Sequence, residues 1–112
     1  MDSILTSIKK LLGITEEYEH FDADLIMHIN SVFMILTQLG VGPVDGFVIR
    51  SKEETWDKFL PENGPKLEAV KSYVYLKTRL LFDPPTMSAV MEATKSMIGE
   101  LEWRLNVGAE SS

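Results

Sequence analysis

The sequence contains no cysteine, which removes disulfide staples and thiolate metal sites from consideration and fits a reducing compartment. Basic residues are in the minority: 11 Lys and Arg stand against 17 Asp and Glu, for a net charge of −6. Grip on a phosphate backbone rests on Lys and Arg displacing counterions, so an acidic chain is a poor candidate for holding nucleic acid. No apolar run approaches the roughly 20 residues needed to cross a bilayer. The first apolar residues, Ile4, Leu5, Ile8, Leu11 and Leu12, are interrupted by Lys9 and Lys10 and preceded by Asp2, so this segment does not read as a signal peptide. Phosphate-binding loops, dinucleotide fingerprints and nucleophile elbows are missing as well. Gly40, Gly42 and Gly46 lack the order and the following helix that such sites require.

What is present is helical patterning. With 112 residues, 45% of them hydrophobic and 25% charged, the chain suits one domain with a modest core. Residues 3 to 12 read as a short helix, with Ser3 as N-cap, Gly13 past its end, and one apolar stripe made by Ile4, Leu5, Ile8, Leu11 and Leu12. The clearest helix spans 22 to 39, where Leu25, Ile29, Val32, Leu36 and Leu39 step by four and three. Asp22 is its expected cap and Gly40 its stop.

Between Val41 and Arg50 the pattern changes. Asp45-Gly46 separates Val44 from Phe47-Val48-Ile49, a hairpin-like loop signal whose apolar triplet either folds back on the core or reaches a neighbouring subunit. Ser51 with Glu54 matches a capping box and predicts a short helix carrying Trp56 and Phe59. Pro65 fits the first turn of the next helix, lined by Leu67, Val70, Val74, Leu80 and Leu81 and stopped at Asp83-Pro84-Pro85. A last helix, capped by Asp83 or Thr86, carries the stripe Met87, Met91, Thr94, Ile98, Leu101 and Leu105. The fold class expected is therefore all-α: a small bundle of four to five helices in one domain, 1–107, with the hairpin-like loop near 41–50. Residues 108–112, small and polar, are expected to form a disordered tail.

Catalytic chemistry finds little support. His20, Asp24 and His28 recur at intervals of four and invite a zinc-type trio, but His20 lies before the expected helix. The carboxylate pairs Glu16-Glu17, Glu53-Glu54 and Glu100 with Glu102 point in different directions around a helix, whereas acid–base catalysis needs two carboxylates facing one cleft. No catalytic residue, metal or cofactor is expected. Charge placement is more suggestive. Glu16, Glu17, Glu19, Asp22 and Asp24 form an acidic run, while Lys66, Lys71, Lys77 and Arg79 make the opposite bias further on. These are either two solvated faces or the two sides of a contact between copies.

Three blocks carry a family likeness. They are Asp24 to Phe33 continuing to Gln38-Leu39-Gly40-Val41-Gly42-Pro43; Ala69 to Pro85, including Tyr73-Val74-Tyr75-Leu76-Lys77-Thr78-Arg79; and Glu100 to Asn106, including Trp103. In this order and in a chain of this size they resemble the head–tail connector proteins of tailed bacteriophages and prophages, also called head-completion or adaptor proteins. The resemblance implies an all-α structural subunit without catalysis or cofactor. It implies a ring homo-oligomer, a dodecamer, below the portal of the virion head–tail junction, made in the bacterial host cytoplasm. Its partners would be itself, the portal protein, and the next connector or tail protein. DNA would pass through the channel without sequence-specific binding, and no membrane is involved. Phe47, Val48, Ile49, Lys71, Lys77, Arg79, Glu16, Glu17, Glu19 and Trp103 are the residues expected at subunit or portal interfaces. The alternative is a small cytosolic regulatory module that binds one partner through Trp56 or Trp103.

Overall fold

A computed structural model describes residues 2–111. Five helices follow one another: α1 (Ile4–Leu11), α2 (Asp22–Gln38), α3 (Trp56–Phe59), α4 (Pro65–Phe82) and α5 (Ser88–Ser111), with no strand among the described residues. The all-α bundle is the expected one. Its extents of 39 × 36 × 22 Å make it a slab about two helix diameters thick, since a helix with side chains is about 10–12 Å across. Helix α4 packs on α2 and on α5, while α1 lies against α2 and α4.

The local rules explain most of the boundaries. Ser3, in extended geometry, accepts the Thr6 N–H at 3.2 Å and caps α1. The stripe of α2 goes inward through Leu25, Ile29, Val32, Phe33 and Leu36. Pro65 starts α4 at no cost in hydrogen bonds. The core is aromatic at its centre. Phe33 lies 4.7 Å from Phe59 and 5.2 Å from Phe47 by ring centroids, with Trp56 beside it at 6.3 Å. The Trp56 indole N–H donates to Ser7 Oγ at 2.9 Å, so this buried ring is polar-satisfied as well as packed. Gly42 has φ of +88°, and a Cβ there would overlap the Phe59 ring, so glycine is required for this approach.

Four expectations need correction. The 41–50 segment is not a hairpin: one tight turn is closed by Gly46 N–H on Pro43 O at 3.0 Å, and extended backbone without a partner strand follows. Ladder pairing fails because Asn30 of α2 takes both polar groups of Ile49, donating Nδ2 to its carbonyl (2.9 Å) and accepting its N–H (2.8 Å). Second, only half of the Ser51–Glu54 box forms, since Ser51 Oγ accepts the N–H of Glu53 and not of Glu54, and it opens no helix. Glu54 accepts the N–H groups of Ser51 (3.2 Å) and Arg50 (3.0 Å), and the short helix starts only at Trp56. There Ile4 N–H reaches Glu54 O at 3.0 Å and Ser3 bridges Thr55, so α1 claims the backbone that the helix would have used. Third, α5 begins at Ser88, one to four residues later than a cap at Thr86 or Asp83 would give, and Phe21 rather than Asp22 precedes α2. Fourth, the expected tail is helix as far as Ser111, because Ala109 packs beside Gly40 and Asn106 Nδ2 reaches Leu39 O at 3.4 Å. Ser112 lies outside the described residues.

Candidate functional site

The acidic run is organised by one lysine. Lys9 is only 2% exposed, although nothing but water would suit an unpaired ammonium. It donates to Glu16 O at 2.9 Å and Tyr18 O at 2.7 Å, and its ammonium stands 2.8 Å from the Asp22 carboxylate as an ion pair. The loop from Thr15 to Phe21 is thereby pinned onto α1 by its carbonyls, and its side chains are left outside. Glu16, Glu17 and Glu19 are all exposed and make no salt bridge among the described residues. Phe21 packs on Phe82 at a centroid distance of 5.1 Å, which sets this loop at the same end of the slab as the Asp83-Pro84-Pro85 break. Periodicity alone held the signal. Lys9 falls four after Leu5 and three before Leu12, on the buried stripe of α1.

The basic residues of α4 are not equivalent. Lys71 sits 3.5 Å from Glu68 and 5.9 Å from the centroid of the Trp56 ring, a cation–π distance. Lys77 lies 3.9 Å from Glu102 of α5. Glu102 also accepts the Tyr73 hydroxyl at 2.6 Å. Burial, then the hydrogen bond and charge of Glu102, push the Tyr73 hydroxyl well above its ordinary pKa. Tyr73, Lys77 and Glu102 therefore join α4 to α5. Of the three expected basic contacts, Arg79 alone has no carboxylate partner among the described residues.

The apolar triplet does not project as a unit. Phe47 packs on Phe33 and Phe59, and Ile49 is buried. Only Val48, 53% exposed, points out, and Val44 at the tip of the preceding turn is 94% exposed. The two tryptophans also part company: Trp56 is core, while Trp103 is 67% exposed on α5. His20 is exposed against Tyr18 and Phe21, and it forms no cluster with Asp24 and His28. Among the described residues no group of three metal-type ligands occurs. Glu54 is shaped by structure: partial burial raises its pKa, but N–H bonds from its own backbone, Arg50 and Ser51 outweigh this and hold it below the usual carboxylate range.

One surface was not foreseen. Between α4 and α5 runs an apolar groove of about 630 Å³, lined by Tyr75, Leu76, Val90, Ala93, Met97 and Leu101 among others. Helix α5 has only α4 to pack on along its first half, so Val90 and Met97 remain outside beside the buried Thr94 and Ile98. The dense apolar content of this helix was legible; that one partner could not cover it was not.

A helical slab with an aromatic core and uncovered apolar surfaces has the makings of a protein–protein assembly module. Comparison of the sequence with protein families makes this specific. Residues 4–112 match the model of the phage connector protein family, and the chain belongs to that family. It is thus a phage structural connector, a virion component whose partners are other virion proteins. No curated protein and no solved structure gives a significant match to the chain. No helix among the described residues is long and apolar enough to cross a membrane.

Proposed function

We propose that this connector forms a closed ring, twelvefold in keeping with its family's portal, that seats beneath the portal, continues the DNA exit channel, and offers its far side to the next connector or the tail. The family match over residues 4–112 carries the reading. Three physical features support it. A ring needs a heterologous interface, two different faces of one subunit that meet around the circle, and this slab leaves separate apolar surfaces on the 41–48 loop and along α4 and α5. The net charge of −6 lets DNA slide past without the counterion release that would hold it. The rigid Lys9-anchored loop keeps Glu16, Glu17 and Glu19 available for basic groups on a partner. Negative-stain microscopy of the purified protein, alone and with its portal, tests this. Closed rings coaxial with the portal are expected. Native mass spectra showing only monomer, at high concentration and with portal present, would overturn it.

A further inference from the structure

We infer that the Val44–Asp45 turn of one copy docks into the α4–α5 groove of the next copy, with Asp45 meeting Arg79. The inference rests on the ring reading and names the two faces that would meet. The turn is fixed by the Gly46-to-Pro43 hydrogen bond of 3.0 Å and backed by Phe47 on the core aromatics, and behind its tip Asp45 to Val48 border a cleft against Asn30, Met34 and Gln38 of α2. Val44 at its tip is 94% exposed, an apolar group for which the chain itself supplies no cover. The groove is concave and apolar, and only α4 and α5 line it, so a chain does not fill its own groove.

Charge chooses the occupant. Arg79 does not line the groove, but it falls four residues after Tyr75 and three after Leu76, one turn further along the same side of α4. It has no acidic partner among the described residues, whereas Lys71 and Lys77 are engaged with Glu68 and Glu102. Asp45, next to Val44, is exposed and equally without a basic partner among the described residues. An apolar tip beside one carboxylate thus matches an apolar trough with one guanidinium a turn beyond it. The acidic loop is a weaker match, because its Tyr18 ring already packs against His20 and Phe21. Since turn and groove share no residue, each copy uses its turn on one neighbour and its groove on the other, the head-to-tail arrangement that closes into a ring.

The chain has no cysteine, so an engineered pair reports contact without background. In V44C/M97C, oxidised under conditions where rings form alone or on the portal, cysteines of adjacent copies come within bridging range. A non-reducing gel should show a ladder of dimers, trimers and higher species, whereas each single variant, whose cysteine faces no cysteine on its neighbour, stays monomeric. Both positions are substantially exposed, so folding is unaffected, which circular dichroism checks. In a second arm, R79E should raise the protein concentration needed for rings about tenfold, and D45R/R79E should restore it, because the pair is reversed rather than removed. Rings without a ladder, or with dimer only, overturn the docking and leave the ring reading standing, as does a double charge variant no better than R79E. No ring of the unmodified chain in any condition overturns the ring reading and this inference with it.

Discussion

The first 82 residues and the last helix solve different problems. Every buried core residue except Ile98 and Leu105 belongs to the first 82 residues, although α5 is the longest helix, with 24 residues. Helices α1 to α4 close on each other around Phe33, Trp56, Phe59 and Tyr73, and Lys9, the one buried charge among them, is answered by the 15–22 segment. Helix α5 rests on α4 alone through much of its length and keeps Val90, Met97 and Trp103 outside. One part is packed to be stable, the other is placed to be met. Under the assembly proposed above, this division would separate folding from assembly, so that an interface could change without endangering the subunit.

The largest effect expected from this division contrasts two apolar side chains. Phe33→Ala opens a cavity where four aromatic rings converge and should cost about 3–5 kcal/mol, a large part of a small domain's stability. Met97→Ser removes an apolar side chain that is already 49% exposed and should change stability by no more than about 0.5 kcal/mol. Urea unfolding of the isolated chain measures both. Equal losses would show that α5 belongs to the folding core and would erase the contrast.

An intermediate effect concerns the polar anchor of the N-terminal body. Lys9→Met leaves the carbonyls of Glu16 and Tyr18 without their donor and the Asp22 carboxylate without its ion-pair partner. Asp22 keeps some water, its side chain being 24% exposed, so the cost should be about 2 kcal/mol rather than that of a fully buried pair. Hydrogen exchange should quicken between Thr15 and Phe21 while α4 and α5 keep their protection. Uniform loss of protection across the molecule would mean that Lys9 holds the whole fold and not the loop.

These residues also show what a sequence can and cannot disclose. The stripe of α2 and the proline start of α4 are legible because they are local: spacing and cap chemistry decide them. Lys9 hides because a lysine in an apolar helix reads as an interruption, and only its acceptors, seven to thirteen residues away, turn it inward. The continuation of α5 past Gly108 depends on Ala109 meeting Gly40 and Asn106 meeting Leu39, contacts no local pattern contains. Phe47-Val48-Ile49 looks like one apolar patch, yet extended backbone sends its neighbours to opposite sides, and Asn30 fixes which side is inside. The family likeness, spread over three helical blocks, was visible before any of this. The groove was not, because a groove is the failure of two helices to cover each other.

The smallest effect is the sharpest for α5. Gly99 lies mid-helix, and nothing stands within 4 Å of where its Cβ would be. In an exposed helix interior glycine costs about 1 kcal/mol relative to alanine, and here no close packing compensates. Gly99→Ala should therefore stabilise the isolated subunit by about 0.5–1 kcal/mol, raising Tm by a few degrees, about 4 °C for a domain of this size. If α5 stays straight on assembly, ring formation should be unchanged or improved. If the helix must bend to seat its groove on a neighbour, the same substitution should raise Tm yet impair rings. Stability measured by calorimetry and assembly measured by microscopy on one variant would then diverge, and the divergence would locate the cost of assembly in the helix that the core does not need.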